Sequence, residues 1–478
     1  MARNRLVWLL LVLLPIGRPV AAEDPRPQNI VLIILDDLGT ERVGAYGWPT
    51  AGPTPNLDEL AAEGVRFDNF WGSPHCSPFR ASALTGLPVR QHEISGPIDR
   101  ESDRRALGLD PALDTLPKRL APRGYRSEAL GKWHLAGEPD FTPRHPLLVG
   151  FDHHAGPLGN VGRTNSYESF EKCVDGVCEY VTDRYLTSDT TDDVIEALRG
   201  SEPFFLWVGY NAAHRPFHVP PRELHGFEGL DCPSGSAIRC HKALVESLDS
   251  ELGRVFAAVD WRDTTVIVVA DNGTPRGALD EPSDSGGKGS VYESGVRVPL
   301  IVRGAAVSPE AEGAVAVGLT QVEDLFATLL ELAGVSAESS YSRSFAQLLE
   351  DPAAESKRPW QYAERYTPNG PKPTSDRIRR HYQAAADDQF KVVIRRNERL
   401  TGEPELYKRS DVMERDDLTD QPLGEPERQA LSRLLAVVDQ EGSMRPLPAG
   451  PPPRSSEWLI AVVVGGAGLL IWQRRRRG

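Results

Sequence analysis

The chain has 478 residues, a formal net charge of −14, and 40% hydrophobic against 26% charged residues. That length suffices for a large buried core plus one extra subdomain, and the acidic balance argues against a nucleic-acid-binding surface. It leaves room for an anionic small substrate wherever positive charge is concentrated in one site.

The chain opens with Arg3 and Arg5, an apolar run from Leu6 to Ile16, and small residues at Val20-Ala21-Ala22 before Glu23. This is the layout of a secretory signal peptide over residues 1–22. An N-terminal membrane anchor is the alternative, for which the run is short. Ile30 to Leu35 (IVLIIL) is continuous, apolar and β-branched, as expected of a strand buried on both faces of a parallel sheet, and Asp36-Asp37 follow at its end. Asn56 to Glu63 reads as a helix. Cys76-Ser77-Pro78-Phe79-Arg80, with Thr85-Gly86 behind it, reads as a helix start, because proline is favoured in the first turn. A thiol there would face the positive end of the helix dipole, where anions bind. A structural cysteine buried in a helical turn accounts for the same residues.

Leu113 to Leu120 is a helical stretch and Tyr125 to Leu130 is strand-like, with Gly131-Lys132-Trp133-His134 after it. Cys173 and Cys178 flank a short loop, as do Cys232 and Cys240, so an exported chain would form two local disulfides. A four-cysteine zinc site is the competing reading, with spacings that depart from C-x-x-C pairs. Paired cysteines would leave Cys76 as the odd thiol. Asp192 to Leu198 and Leu244 to Val259 read as helices. Pro203 to Gly209 and Thr264 to Ala270 are further buried strands, followed by Asn211-AAHRPFHVP and by Asp271-Asn272. Lys288 lies in the glycine-rich loop Ser285 to Ser290. Val298 to Val302 is a fourth strand, and Val322 to Leu332 is an amphipathic helix that closes the domain. Strands alternating with helices predict an α/β fold, a large mainly parallel sheet sandwiched by helices.

Beyond about residue 350 the sequence becomes charged and Pro-punctuated. Tyr382 to Ala386 and Phe390 to Arg395 read as neighbouring strands, and Leu431 to Val438 as a last helix, which together predict a small C-terminal α+β subdomain. The expected division is a catalytic domain over 23–350, a C-terminal subdomain over 351–442, a Pro-rich linker over 443–457, and a hydrophobic tail over 458–478. The uncharged run Trp458 to Trp472 ends in Arg474-Arg475-Arg476-Arg477. It reads as a membrane anchor with its arginines on the cytoplasmic side, or as a sorting tail removed by a membrane protease.

In open α/β sheets, ligands bind beyond the carboxyl ends of the strands. Asp36, Asp37, Asp271 and Asn272 all follow strand ends, and three carboxylates there need a cation. An all-oxygen protein donor set favours calcium over magnesium. Taken alone, Asp271-Asn272-Gly273 is also a common turn signal. Lys132, His134, His214 and Lys288 likewise follow strand ends or sit in a glycine-rich loop, where a lysine and backbone N–H groups can approach an oxyanion.

Five stretches carry a resemblance: NIVLIILDDLG, CSPFRASALTG, GYRSEALGKWH, the His214-Arg215-Pro216 element, and DNG followed by GGKGSVYESGVRVP. A weaker match runs from Glu405-Leu406-Tyr407 through Asp416-Asp417-Leu418. The chain resembles the type I sulfatases of the alkaline-phosphatase-like superfamily. The resemblance implies a sulfuric ester hydrolase acting on aryl or carbohydrate sulfates. It implies that a formylglycine-generating enzyme reads C-x-P-x-R and converts Cys76 to formylglycine, whose hydrate is the nucleophile. One calcium per chain would be held by Asp36, Asp37, Asp271, Asn272 and residue 76. His214 would protonate the leaving alcohol, Lys132 and Lys288 would hold sulfate oxygens, His134 would take a proton from the hydrate, and Arg80 would orient residue 76. Two positions depart from the family pattern: Phe79, where small residues are usual, and Thr274, where glycine or histidine is common. A phosphatase, phosphodiesterase or phosphonate monoester hydrolase of the same superfamily is the nearest alternative function. A catalytically silent, membrane-tethered binding protein is the alternative of another class.

Overall fold

The computed structural model describes residues 28–98, 108–137, 142–162, 165–232, 234–281, 286–337, 339–367, 380–397 and 401–443. The segments expected as signal peptide (1–22) and hydrophobic tail (458–478) lie outside the described residues, as does the expected Pro-rich linker (443–457) apart from Ser443, which ends the last helix. Among the described residues no helix is long and apolar enough to cross a membrane.

The runs of β-branched residues form the centre of the sheet. β1 (Asn29–Leu35) is buried along its whole length. Among the described residues, twelve strands precede the C-terminal region. After β1 come β2 (Val65–Phe67), β3 (Phe70–Trp71), β4 (Arg126–Gly131), β5 (His153–Gly156), β6 (Ser169–Val174) and β7 (Val177–Thr182). β8 (Phe204–Gly209), β9 (Thr264–Ala270), β10 (Leu300–Gly304), β11 (Ala314–Ala316) and β12 (Thr320–Gln321) complete the set. Ten of them make one sheet in the order β11-β2-β10-β9-β1-β8-β4-β5-β6-β7, while β12 pairs with β3. The stretch β9-β1-β8-β4-β5 is parallel throughout. β10 runs antiparallel to β9, and the β6–β7 hairpin is antiparallel at the other edge. The fold is therefore α/β with a mainly parallel sheet, as the sequence predicts.

Cys173 is bonded to Cys178 across the β6–β7 hairpin, and Cys232 to Cys240 at the start of the helix Ala237–Phe256. Those bonds use the sulfurs a zinc site would need. Cys76 is the free, buried cysteine.

A second, antiparallel sheet follows, built from β13 (Gln361–Thr367), β14 (Arg380–Ala386), β15 (Phe390–Asn397) and β16 (Thr401–Lys408). Period-two alternation gives it two apolar faces. Ala384, Ala386 and Val393 pack with Trp71, Val291 and Val296 of the large domain. Ala385, Val392 and Ile394 pack with Ala430, Leu434 and Val438 of the helix Glu425–Ser443. The small sheet is thus fastened on one face to the segment just after Lys288.

Register is what assembles the site. Leu35 of β1 lies beside Ala270 of β9, Ile34 beside Gly209 of β8, and Gly209 beside Gly131 of β4. Four parallel strands therefore end level, so the next residues along each chain arrive at one edge: Asp36, Asp271, Lys132 and the loop to His214.

Candidate active site

The ten-residue helix Cys76–Thr85 starts at the site, and every one of its residues is buried. His75 stands in extended conformation immediately before it. Phe79 belongs to the main hydrophobic core and is fully buried. Its size is therefore met by the packing around the helix. Phe79→Ser, which introduces a small side chain at this position, should open a cavity and destabilise the fold by about 3 kcal/mol or more, read as a lowered unfolding midpoint.

At the floor, Cys76 Sγ lies 3.1 Å from Asp36 Oδ1 and accepts from Lys288 Nζ at 3.3 Å. Lys132 Nζ contacts Asp36 Oδ2, and Lys288 Nζ contacts Asp37 Oδ1. Arg80 Nη1 donates to the Lys132 carbonyl at 2.6 Å, and Nη2 stands 3.7 Å from Asp271 Oδ2. This approach requires glycine at 209, since a Cβ there would come within 2.4 Å of the Lys132 carbonyl and 2.5 Å of Arg80 Nη1. Arg80, Lys132, Asp36 and Asp271 have fully buried side chains, whereas those of Lys288 and His214 are 17% and 16% exposed. The site is a closed floor with two basic groups at its mouth.

The backbone at two site residues is strained. Asp37 and His134 both have φ 62°, a left-handed conformation that non-glycine residues adopt rarely. Asp37 is held there by its N–H donating to Asp271 Oδ1 at 3.2 Å and by its carbonyl facing His241 Nε2 at 2.9 Å. The Leu38 N–H donates to the Asn272 carbonyl at 3.0 Å. These bonds lock the two strand ends together.

Electrostatics favour a cation. Burial, reinforced chiefly by Asp36, pushes Asp271 up to about 7. Burial works against ionisation of Asp36 too, but Lys132, with His214, Lys288 and Arg80, outweighs it and holds that carboxyl well below its ordinary range. Asp271 Oδ2 and Asn272 Oδ1 are buried without a hydrogen-bond partner. One donor atom from each of Asp36, Asp37, Cys76 and His214 lies within 4.8 Å of the others. Unpartnered buried oxygens among three carboxylates fit a hard, oxygen-preferring divalent ion. The Cys76 thiol is pushed well above its usual value by burial and by Asp271 and Asp36, so the bare thiolate is disfavoured.

His134 and His214 complete the ring. Burial, then Lys132 and Arg80, holds His134 well below the usual imidazole range, and its Nδ1 is buried without a partner. His214 Nδ1 lies 2.7 Å from the Arg215 carbonyl, which can only accept, so Nδ1 carries the proton and Nε2 points inward, 4.0 Å from Asp37 Oδ2. Burial and the Lys288 charge lower His214 to about 4.

All the residues singled out from the sequence (Asp36, Asp37, Cys76, Arg80, Lys132, His134, His214, Asp271, Asn272 and Lys288) converge here. Sequence reasoning missed the supports. Tyr167 donates its hydroxyl toward the Asn211 and His214 carbonyls at 2.7 and 2.8 Å, fixing the loop after β8. His241 supports Asp37 from the helix Ala237–Phe256. Tyr167 sits in a polar stretch with no periodicity, and a lone histidine on a helix carries no signal of its own.

Comparison with known proteins gives a family model described as Sulfatase that matches residues 28–335. The N-acetylgalactosamine-6-sulfatase of Canis lupus familiaris is 32% identical over 373 residues, covering 70% of this chain and 67% of the relative. Human arylsulfatase A is 33% identical over 368 residues, covering 68% of this chain and 67% of the relative. Among solved structures, one described as BT4656 in complex with its substrate D-glucosamine-2-N,6-O-disulfate superposes with a TM-score of 0.69. It is 20% identical, over 88% of this chain and 99% of that one.

Proposed function

The chain belongs to the sulfatase family and is a sulfuric ester hydrolase, and from that premise we propose that it cleaves aryl or carbohydrate sulfates with residue 76 in formylglycine form. The observation that carries this reading is the placement of the free cysteine, at a helix start between Asp36 Oδ1 and Lys288 Nζ. As an aldehyde hydrate, that side chain would offer two hydroxyls, one to take the sulfuryl group and one to expel it. A calcium ion held by Asp36, Asp37, Asp271, Asn272 and residue 76 would supply Lewis-acid withdrawal of charge from the sulfate.

The chain's own side chains divide the remaining work. Lys288 and Lys132 hold sulfate oxygens, supplying positive charge in a water-poor site, where it counts most. His214 presents Nε2 at the mouth, the side from which the leaving alcohol departs; binding of an anionic sulfate ester beside it favours its protonated form, in which Nε2 carries the proton that goes to that oxygen. His134, neutral and buried beside Lys132, takes the proton from the second hydroxyl. Arg80 anchors the Lys132 carbonyl and faces Asp271, orienting the floor. Lys132 and Lys288, standing beside the proposed calcium ligands where a second metal's ligands would otherwise lie, favour this reading over a two-metal phosphatase or phosphodiesterase.

We assign the chemistry to residues 23–350 and part of the substrate contact to 351–442. The leader over 1–22 and the tail over 458–478 support export with membrane tethering. Incubation with calcium and 4-nitrophenyl sulfate should release inorganic sulfate, and faster than 4-nitrophenyl phosphate releases phosphate. Peptide mass spectrometry across residue 76 should find the aldehyde. Turnover by protein whose Cys76 is entirely an unmodified thiol would falsify the assignment.

A further inference from the structure

Arg365, on β13 of the small sheet, reaches the loop that carries Lys288. Its Nη1 donates to the Gly289 carbonyl. Gly289 has φ 85°, and a Cβ there would lie 2.9 Å from Arg365 Nη1 and 3.1 Å from the His75 ring. The Gly289 N–H donates to the Pro74 carbonyl at 2.8 Å, which ties this loop to the start of the cysteine helix. Arg365, Gly289 and His75 therefore form one cluster. Gly289 adjoins Lys288 in the chain and His75 adjoins Cys76, so the cluster flanks the reacting group.

The cluster lacks an anion. Among the described residues no carboxylate pairs with Arg365, and its Nε is buried with no partner. Its charged neighbour is another arginine, Arg380, and burial together with Arg380 lowers its proton affinity. Both ring nitrogens of His75 are buried and unpartnered as well. Most buried polar groups find partners, and a sunken guanidinium without an anion is costly. The remaining donors of a guanidinium match the paired oxygens of a carboxylate or sulfate.

We propose that Arg365, with His75 beside it, recognises a second anionic group of the substrate, a carboxylate or further sulfate near the ester being cleaved. The substrate class is then sulfate esters of already anionic sugars or aryl acids, and Arg365 is a specificity residue. This inference rests on the sulfatase reading of the site. A purely structural arginine, which only props the Gly289 carbonyl and hence Lys288, would serve all sulfate esters alike.

The test compares 4-nitrophenyl sulfate with 3-carboxy-4-nitrophenyl sulfate, which differ by one ring carboxylate, on wild type, Arg365→Gln and Arg365→Lys. The readout is the ratio of kcat/KM for the carboxylated ester over the plain one. That ratio is independent of how much of the protein carries a modified residue 76. It should fall at least about tenfold in Arg365→Gln, the scale of one hydrogen bond to a charged group, and less in Arg365→Lys. It should also fall with added salt in the wild type. An equal loss on both esters, with the ratio unchanged, assigns Arg365 a propping role and overturns the inference. Absence of wild-type turnover of either ester overturns the sulfatase reading and this inference with it, an outcome distinct from an unchanged ratio.

Discussion

Cys76→Ser should release about one equivalent of 4-nitrophenol per enzyme and then stop, with steady-state turnover reduced at least about 10³-fold. The serine hydroxyl occupies the same place, at the helix start between Asp36 and Lys288, so the positioning groups remain. Transfer of the sulfuryl group to it breaks the bond to the phenol and forms a serine sulfate. A serine has no second hydroxyl through which to expel sulfate. The floor is closed, with Arg80, Lys132 and Asp271 fully buried, so water has no prepared route to the sulfur. Rapid quench should show the burst, and intact-protein mass spectrometry should show one added sulfate. Cys76→Ala should abolish the burst as well. Sustained turnover by the serine variant at the wild-type rate would sink the two-hydroxyl mechanism.

The parts of this machine that were legible in the sequence are those whose signal is local. β1, β8 and β9 are continuous apolar runs, buried on both faces, and each ends where the sequence places a polar pair or loop. Strand direction is not local. The fourth strand, expected over 298–302, lies at Leu300–Gly304 and runs antiparallel to β9, which hydrophobic content cannot reveal. The helix expected from Asp192 begins at Leu186, because Thr187, Asp189, Thr190 and Thr191 are buried polar residues that hide its inward face. The β6–β7 hairpin was missed for the opposite reason, being largely exposed along β7. In the small sheet, β13 carries Arg365 in the charged run AERYT, where a site residue cannot be told from a solvated one.

The site residues themselves were readable because each follows a strand end or opens a helix, and parallel register then makes sequence-distant ends coincide. What holds them is long-range. Tyr167, His241 and Arg365 act through a hydroxyl, a ring nitrogen and a guanidinium on backbone carbonyls of the site loops. A carbonyl accepts from any donor, so no residue pattern in the loops announces the partner. Phe79 shows the converse case: a departure from the family pattern that is local in sequence and is absorbed by the core.

Chelation with EGTA should lower sulfate release at least about a hundredfold, and calcium should restore it. The reason lies in the floor. Asp36, Asp37 and Asp271 share one buried volume, and Asp271 Oδ2 and Asn272 Oδ1 lack partners. Without calcium, Asp271 keeps the opposition of burial and Asp36, and these oxygens stay unsatisfied. Calcium binding to the folded state alone should therefore raise the unfolding midpoint, by an amount equivalent to about 2.7 kcal/mol at a hundredfold excess over Kd. Asp271→Asn separates the two contributions. Asparagine keeps an oxygen for the Asp37 N–H but removes the charge that burial and Asp36 oppose. In EGTA the variant should be at least as stable as the wild type. In calcium it should be less stable, with most of the calcium-dependent increment lost along with activity. The order of the two proteins thus reverses with calcium, as expected if a buried carboxylate is kept for its ion. If calcium moves neither midpoint, these carboxylates do not form a calcium site.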